Sequence, residues 1–195
     1  MRVAGRFVGG FGAGLMALSG MAGAEPIDGK SAKAALFSPK GAEVEIIAQS
    51  FLSDDDLDVI NEVAGQQKYY GAVALSPDEG LLSEATVAAA NYHDVDVAQV
   101  VALAGCDAKR TGEKPCVIVA LIRPKGWEAQ ALQLSADATD MFRKEYSKLK
   151  LPRAMAISVS TGRWGLGNGE SAAVAAMAAC TNAAGAGDCA LAILD

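Results

Sequence analysis

Four cysteines, Cys106, Cys116, Cys180 and Cys189, fall into two couples of nearly equal spacing, C-x9-C and C-x8-C. An alanine-rich stretch precedes each couple and a short apolar run follows it. An even count in a small chain reads as disulfides where the compartment is oxidising. Neither spacing is the CxxC of a zinc ribbon or a redox pair. No metal and no cofactor are expected.

The cysteines belong to a longer internal match, the signature of duplicated architecture. The first copy, residues 70–123, contains Gly71-Ala-Val-Ala-Leu-Ser-Pro-Asp-Glu-Gly80, then Asp96–Cys106, then Pro115-Cys-Val-Ile-Val-Ala120. The second, residues 153–195, contains Arg153-Ala-Met-Ala-Ile-Ser-Val-Ser-Thr-Gly162, then Glu170–Cys180, then Asp188-Cys-Ala-Leu-Ala-Ile193. Placing Cys106 on Cys180 puts Ala98 on Ala172, Ala102 on Ala176 and Leu103 on Met177. The first copy is longer between its turn glycine and its first cysteine, within Leu81–Val95.

Ala72–Leu75 and Met155–Val159 are apolar runs ended by turn residues, so they read as strands entering hairpins. Asp94 or Asp96, and Asn168 or Ser171, are placed to cap the helices that follow. A bridge from helix end to strand start closes a loop in each copy, stabilising it by roughly 2.5–3 kcal/mol. The repeated spacing favours Cys106–Cys116 and Cys180–Cys189 among the three connectivities. The expected fold is α/β (α+β): two strand-hairpin-helix-strand units sharing a sheet, each closed by a disulfide, with additional covering helices. Those helices are Gly29–Leu36, Asp54 to about Gly65 capped by Ser53, and Ser135 to about Leu149. Glu43–Ala48 and Gln130–Leu134 are expected as short strands.

The N-terminus bears on where such bridges form. Arg2 and Arg6 precede an uncharged stretch from Phe7 to Ala24 that ends Ala22-Gly23-Ala24 before Glu25. These match the regions of a cleavable secretory signal, residues 1–24, leaving one domain over 25–195. Glycines crowd the stretch, which leaves it too little apolar surface for a stable membrane span of roughly 20 residues. No cysteine follows for lipid attachment. Localisation in the periplasm, or secretion, is the expectation.

From Glu25 on, 15 basic residues face 23 acidic ones, a net charge of −8. That balance excludes nucleic acid and anionic lipid as main partners, since both select a basic footprint. An envelope protein or a small ligand fits better. The charge says nothing of oligomeric state.

Asp54-Asp55-Asp56-Leu57-Asp58 is acidic enough to suggest calcium, but the EF-hand positions for glycine and glutamate hold Val59 and Gly65. His93, the only histidine, stands beside Asp94 in the longer part of the first copy. It is a candidate general base, and Tyr92 with His93 a candidate pocket wall. No nucleophile motif accompanies it. Gly162-Arg163-Trp164-Gly165-Leu166-Gly167-Asn168-Gly169 fits neither the Walker pattern nor G-x-G-x-x-G, and reads as a close-packed, glycine-rich strand. Arg163 with Trp164, and Trp127 on a loop, are candidate binding residues, because Arg and Trp are enriched at hot spots. A binding or interaction protein, inhibitor-like or accessory, is the first reading; a small enzyme centred on His93 and nearby acids is the alternative.

The paired strand, Trp-Gly turn and Ala-rich helix ending in cysteine resemble the bacterial domain of unknown function family 4189. Members pair Gly-Ala-Ile-Ala-x-Ser with Trp-Gly, Ala-Ala-x-x-x-Cys and a second cysteine. Ala154–Asp195 matches best, whereas the first copy has Leu81-Leu82 in place of Trp-Gly, leaving open whether the copies share a role. The resemblance implies export and disulfides and carries no agreed activity. The whole chain is also similar to short proteobacterial proteins labelled 5-aminolevulinate synthase. That activity belongs to a much larger pyridoxal-phosphate fold needing a Schiff-base lysine with a pyridinium partner, and no lysine here stands in such a setting.

Overall fold

The computed structural model describes residues 25–195; the expected signal segment lies outside the described residues. Helix α1 (Gly29–Ala35) starts at Asp28, whose carboxylate accepts the Lys30 and Ser31 amides at 2.9 Å. Strand β1 (Ala42–Ile46) leads to α2 (Asp54–Gly65), opened by a capping box between Ser53 and Asp56. Three acids in its first turn suit the positive end of the helix dipole.

The first unit follows as β2 (Gly71–Leu75), β3 (Val87–Ala89), α3 (Val95–Asp107) and β4 (Val117–Pro124). A connecting helix α4 (Ala136–Lys144) and a 3-10 turn at Tyr146–Lys148 come next. The second unit is β5 (Arg153–Ser158), β6 (Arg163–Asn168), α5 (Ala172–Ala184) and β7 (Cys189–Leu194).

Both units have the same topology. The first strand is central, pairing antiparallel with the second on one side and the third on the other. An irregularity interrupts β2–β4 between Val73 and Ala74, and β5–β7 between Met155 and Ala156. The aligned alanines Ala98 and Ala172, and Ala102 and Ala176, are all buried against their sheets. Bridges join Cys106 to Cys116 and Cys180 to Cys189, each with a Cα–Cα distance of 6.1 Å.

The expected common sheet is not formed: the strands lie in two sheets, β1-β4-β2-β3 and β6-β5-β7. N-terminal segments occupy the outer edges of both third strands. β1 pairs with the C-terminal part of β4, from Ala42 opposite Pro124 to Ile46 opposite Ala120. Ile27 adds in parallel to β7, donating to the Ala192 carbonyl at 3.1 Å and accepting from the Leu194 amide at 3.0 Å.

Two further expectations change. Gln130–Leu134 has no strand partner; Leu132 and Leu134 are buried, but no ladder forms there. The helix begun at Ser135 ends at Lys144 and tightens into the 3-10 turn. α5 also continues past Cys180 to Ala184 and is capped by Gly185, which takes the left-handed conformation that favours glycine.

The glycines of β6 have a steric cause. A Cβ at Gly165 would sit 2.1 Å from the Cys180 nitrogen, and one at Gly167 2.0 Å from the Ala172 carbonyl oxygen. The α5 backbone therefore rests on the strand, and only glycine with facing alanines allows that approach. On the opposite face of this sheet, Leu134, Phe142, Tyr146, Met155 and Ile193 form a core closed by α4.

Candidate functional site

The longer part of the first copy becomes the joint between the units. Beyond β3 the chain turns at Asn91, which takes a left-handed φ of 66°, a conformation Asn tolerates better than most residues. The Asn91 side chain accepts the Asp137 amide at 3.1 Å and donates to the Asp137 carboxylate at 3.2 Å. Gly162, in the β5–β6 turn, presses on the same segment: an added Cβ would lie 2.3 Å from the Asn91 carbonyl oxygen.

His93 sits at the centre of this joint with 2 % of its surface exposed. The Ser135 amide donates to Nδ1 at 2.9 Å. An accepting Nδ1 places the proton on Nε2, which donates to the Arg163 carbonyl at 3.0 Å. One ring thus fastens the loop after β3 to the first turn of α4 and to β6. Burial pushes its pKa down to about 4, outweighing the Arg163 carbonyl and the negative charge of Asp188.

Those bonds leave His93 neither a free lone pair nor a free proton. Asp94 beside it is spent too: it caps α3 by accepting the Asp96 amide and also accepts from Gln133 at 3.2 Å. His93 itself stands in the wall of a cleft of about 320 Å³, beside Asp94, Leu132, Gln133, Ile157 and Ala190; Tyr92 is not in that wall. Tyr92 is half-buried against the first core and donates its amide to the Tyr70 carbonyl at 3.1 Å.

The structure separates the other candidate residues. Adjacent residues in a strand point to opposite faces, so Arg163 and Trp164 diverge instead of forming one recognition pair. Trp164 packs with Leu166 against the second core, while Arg163 is exposed. Trp127 is half-buried: its indole donates to Gln133 at 3.0 Å and Arg123 lies 4.7 Å over its ring. Arg123 also pairs with Glu45, and with Trp127 these residues line a second cleft of about 350 Å³. No group of three or more His, Cys, Asp or Glu side chains able to hold a metal occurs among the described residues.

Two features escaped the sequence reading. In the first unit, Asp78 and Glu79 of the hairpin turn accept amides of the disulfide loop: Lys114 at 2.9 Å and Gly112 at 2.7 Å. In the second, Asp188 of the disulfide loop accepts the Ser158 hydroxyl at 2.6 Å and the Ser160 amide at 2.8 Å. The same two loops are tied by carboxylates arriving from opposite sides. The acids of Ser-Pro-Asp-Glu-Gly were visible, but their targets were not.

The second feature is the outer surface of α3 and α5. No charge occurs between Glu170 and Asp188, nor between Asp96 and Asp107. Val100 is 67 % exposed and Val174 72 %. A helix whose outward face is largely apolar calls for cover on that face. Around α5 a shallow depression takes Ala173, Val174, Met177, Ala178, Thr181 and Leu191. Among the described residues no helix is long and apolar enough to cross a membrane.

No family model, curated protein or solved structure matches this chain.

Proposed function

We propose that the chain is an exported, periplasmic binding protein that holds a protein partner on the outward faces of α3 and α5 and performs no chemistry of its own. One observation carries this reading: each unit turns a helix rich in small apolar residues outward, α5 with no charge and α3 charged only at its ends by Asp96 and Asp107, with Val100 and Val174 standing clear of the surface. Exposed apolar area of this kind marks association surfaces. The small side chains fit a partner whose own face is apolar and uncharged, because a charged one would lose hydration without gaining an ion pair. The commitment of both His93 nitrogens supports binding over catalysis. The resemblance to the family 4189 units, with its implied export and disulfides, agrees with the same reading.

A photo-crosslinking residue at Ala178, in the protein expressed in its own cell envelope, tests this. A discrete protein adduct is expected, and Val174→Glu should abolish it while leaving both disulfides and the circular dichroism intact. The same adduct from a residue placed at Lys150, or an adduct unaffected by Val174→Glu, refutes the assignment.

A further inference from the structure

Four cationic side chains converge on one cleft of a chain whose overall charge is negative. The cleft, about 400 Å³, takes Lys30 and Lys33 from α1, Arg143 from α4 and Arg153 from the start of β5, with Phe142 and Tyr146 beneath them. Asp195 is the carboxylate bonded into this set. It accepts from Arg153 Nε at 2.8 Å, the Gly29 amide at 2.7 Å and the Tyr146 hydroxyl at 3.2 Å. Burial pushes its pKa up, but the bonds from Gly29, Arg153 and Tyr146 outweigh that and hold it below the usual carboxylate range. Lys30, Lys33 and Arg143 have no ion-pair partner among the described residues.

The two guanidinium groups are held in place before any ligand arrives. Arg153 lies 4.8 Å over the Tyr146 ring, which itself stacks on Phe142 at 5.1 Å. Its Nη1 donates to the carbonyls of Tyr146 and Ser147 at 3.1 and 3.0 Å. Arg143 Nη2 donates to the carbonyls of Leu36 and Phe37 at 3.2 and 2.9 Å. Each guanidinium offers more donors than these bonds use: Arg153 Nη2, and Arg143 Nε and Nη1, bond nothing among the described residues. Planar forks of this kind fit the oxygens of phosphate and carboxylate.

Gathering like charges in one cleft raises its energy unless an anion answers them. The Asp195 side-chain carboxylate answers Arg153, while Lys30, Lys33 and Arg143 keep no ion-pair partner among the described residues, which leaves room for more than one negative charge. The cleft is also larger than a bare oxyanion requires. We propose that it binds a small molecule carrying a phosphate-type dianion, at a site independent of the α3 and α5 faces.

Calorimetric titration of the oxidised protein with phenyl phosphate, phenyl sulfate and inorganic phosphate tests the site. Saturable binding of phenyl phosphate is expected, tighter than the singly charged sulfate. Lys30→Gln with Lys33→Gln, both exposed, should weaken it by roughly tenfold, as loss of charged contacts does. Lys148→Gln with Lys150→Gln, the same change in net charge elsewhere, should leave it unaltered. Equal losses in the two pairs, or no saturable binding of phenyl phosphate, overturn the site. Inorganic phosphate binding as tightly as phenyl phosphate overturns the assignment to a carried group.

Discussion

The Ser158 hydroxyl donates to Asp188 at 2.6 Å and accepts from Thr161 at 2.7 Å, whereas its counterpart in the first unit, Ser76, is fully buried with its oxygen unbonded. The two serines occupy equivalent positions, Ser158 closing β5 and Ser76 just past β2, and both are fully buried, but only Ser158 has hydrogen-bond partners for its hydroxyl. Removing Ser158 breaks bonds to a charged group and leaves partners unsatisfied, so Ser158→Ala should cost about 1–3 kcal/mol. Ser76→Ala removes only a buried, unpaired hydroxyl and should be neutral or stabilising by up to about 1 kcal/mol. Urea unfolding of the two variants checks the contrast; equal losses would contradict it.

His93 gives a pH signature. Its pKa is about 4 in the folded protein and about 6.5 in an unfolded chain. Between those values the unfolded state holds a proton that the folded state lacks, so stability falls as pH falls. The contribution is complete above about pH 6.5 and lost as pH drops through about 4, with a slope of about 1.4 kcal/mol per pH unit at most. His93→Gln should be less stable at neutral pH and should lose this slope between pH 6.5 and 4.5. Parallel pH profiles for the two proteins would show that His93 does not titrate as described.

Glu79 acts at lower pH. Bonds from the Gly112 and Thr111 amides, then the Ser83 hydroxyl, hold its pKa at about 2. Its folded value is depressed, so its stabilisation is present above the unfolded value of about 4.3 and is lost as pH falls toward 2. Hydrogen exchange reads this locally. Thr111 and Gly112 amides should exchange faster in Glu79→Gln at neutral pH, while the Ser160 amide, held by Asp188, stays protected.

Gly167 tests the packing of α5 on β6. Gly167→Ala puts a methyl group where the Ala172 carbonyl and Ala176 nitrogen stand, the latter 2.6 Å from the Cβ position. Backbone on both sides leaves no flexible atom to yield, so the loss should reach at least about 3 kcal/mol, the upper range for overpacking. Gly187→Ala, with nothing within 4 Å, is the control and should change stability little. Thermal melts of both variants decide it.

What could be read from the chain follows the distance over which each feature is determined. Ser53 and Asp56 settle the start of α2 between themselves, so that helix was legible to the residue. The cysteine pairing followed from a spacing that repeats. His93 was legible only as a histidine beside an acid, because its partners Ser135 and Arg163 arrive from 42 and 70 residues away. Gln130–Leu134 alternates like a strand, but whether a neighbour offers a ladder is settled elsewhere in the chain. The divergence of Arg163 and Trp164 was within reach, since the period of a strand alone puts neighbours on opposite faces. The basic cleft was not: its cations come from two helices and a strand, and no local run of charge announces it.

The pairing of Ile27 with β7, together with the bond from the Gly29 amide to Asp195, joins positions as much as 167 residues apart. Closing such a contact late is slow compared with local structure. In a chain that emerges from a ribosome or a translocation pore with its N-terminus leading, Ile27 has no strand to join until Leu194 has followed it out. The first unit, whose strands lie within Ala42–Pro124, is free to assemble before then. The order of emergence therefore becomes an order of availability: Cys106 and Cys116 come within reach of each other before Cys180 and Cys189 have emerged.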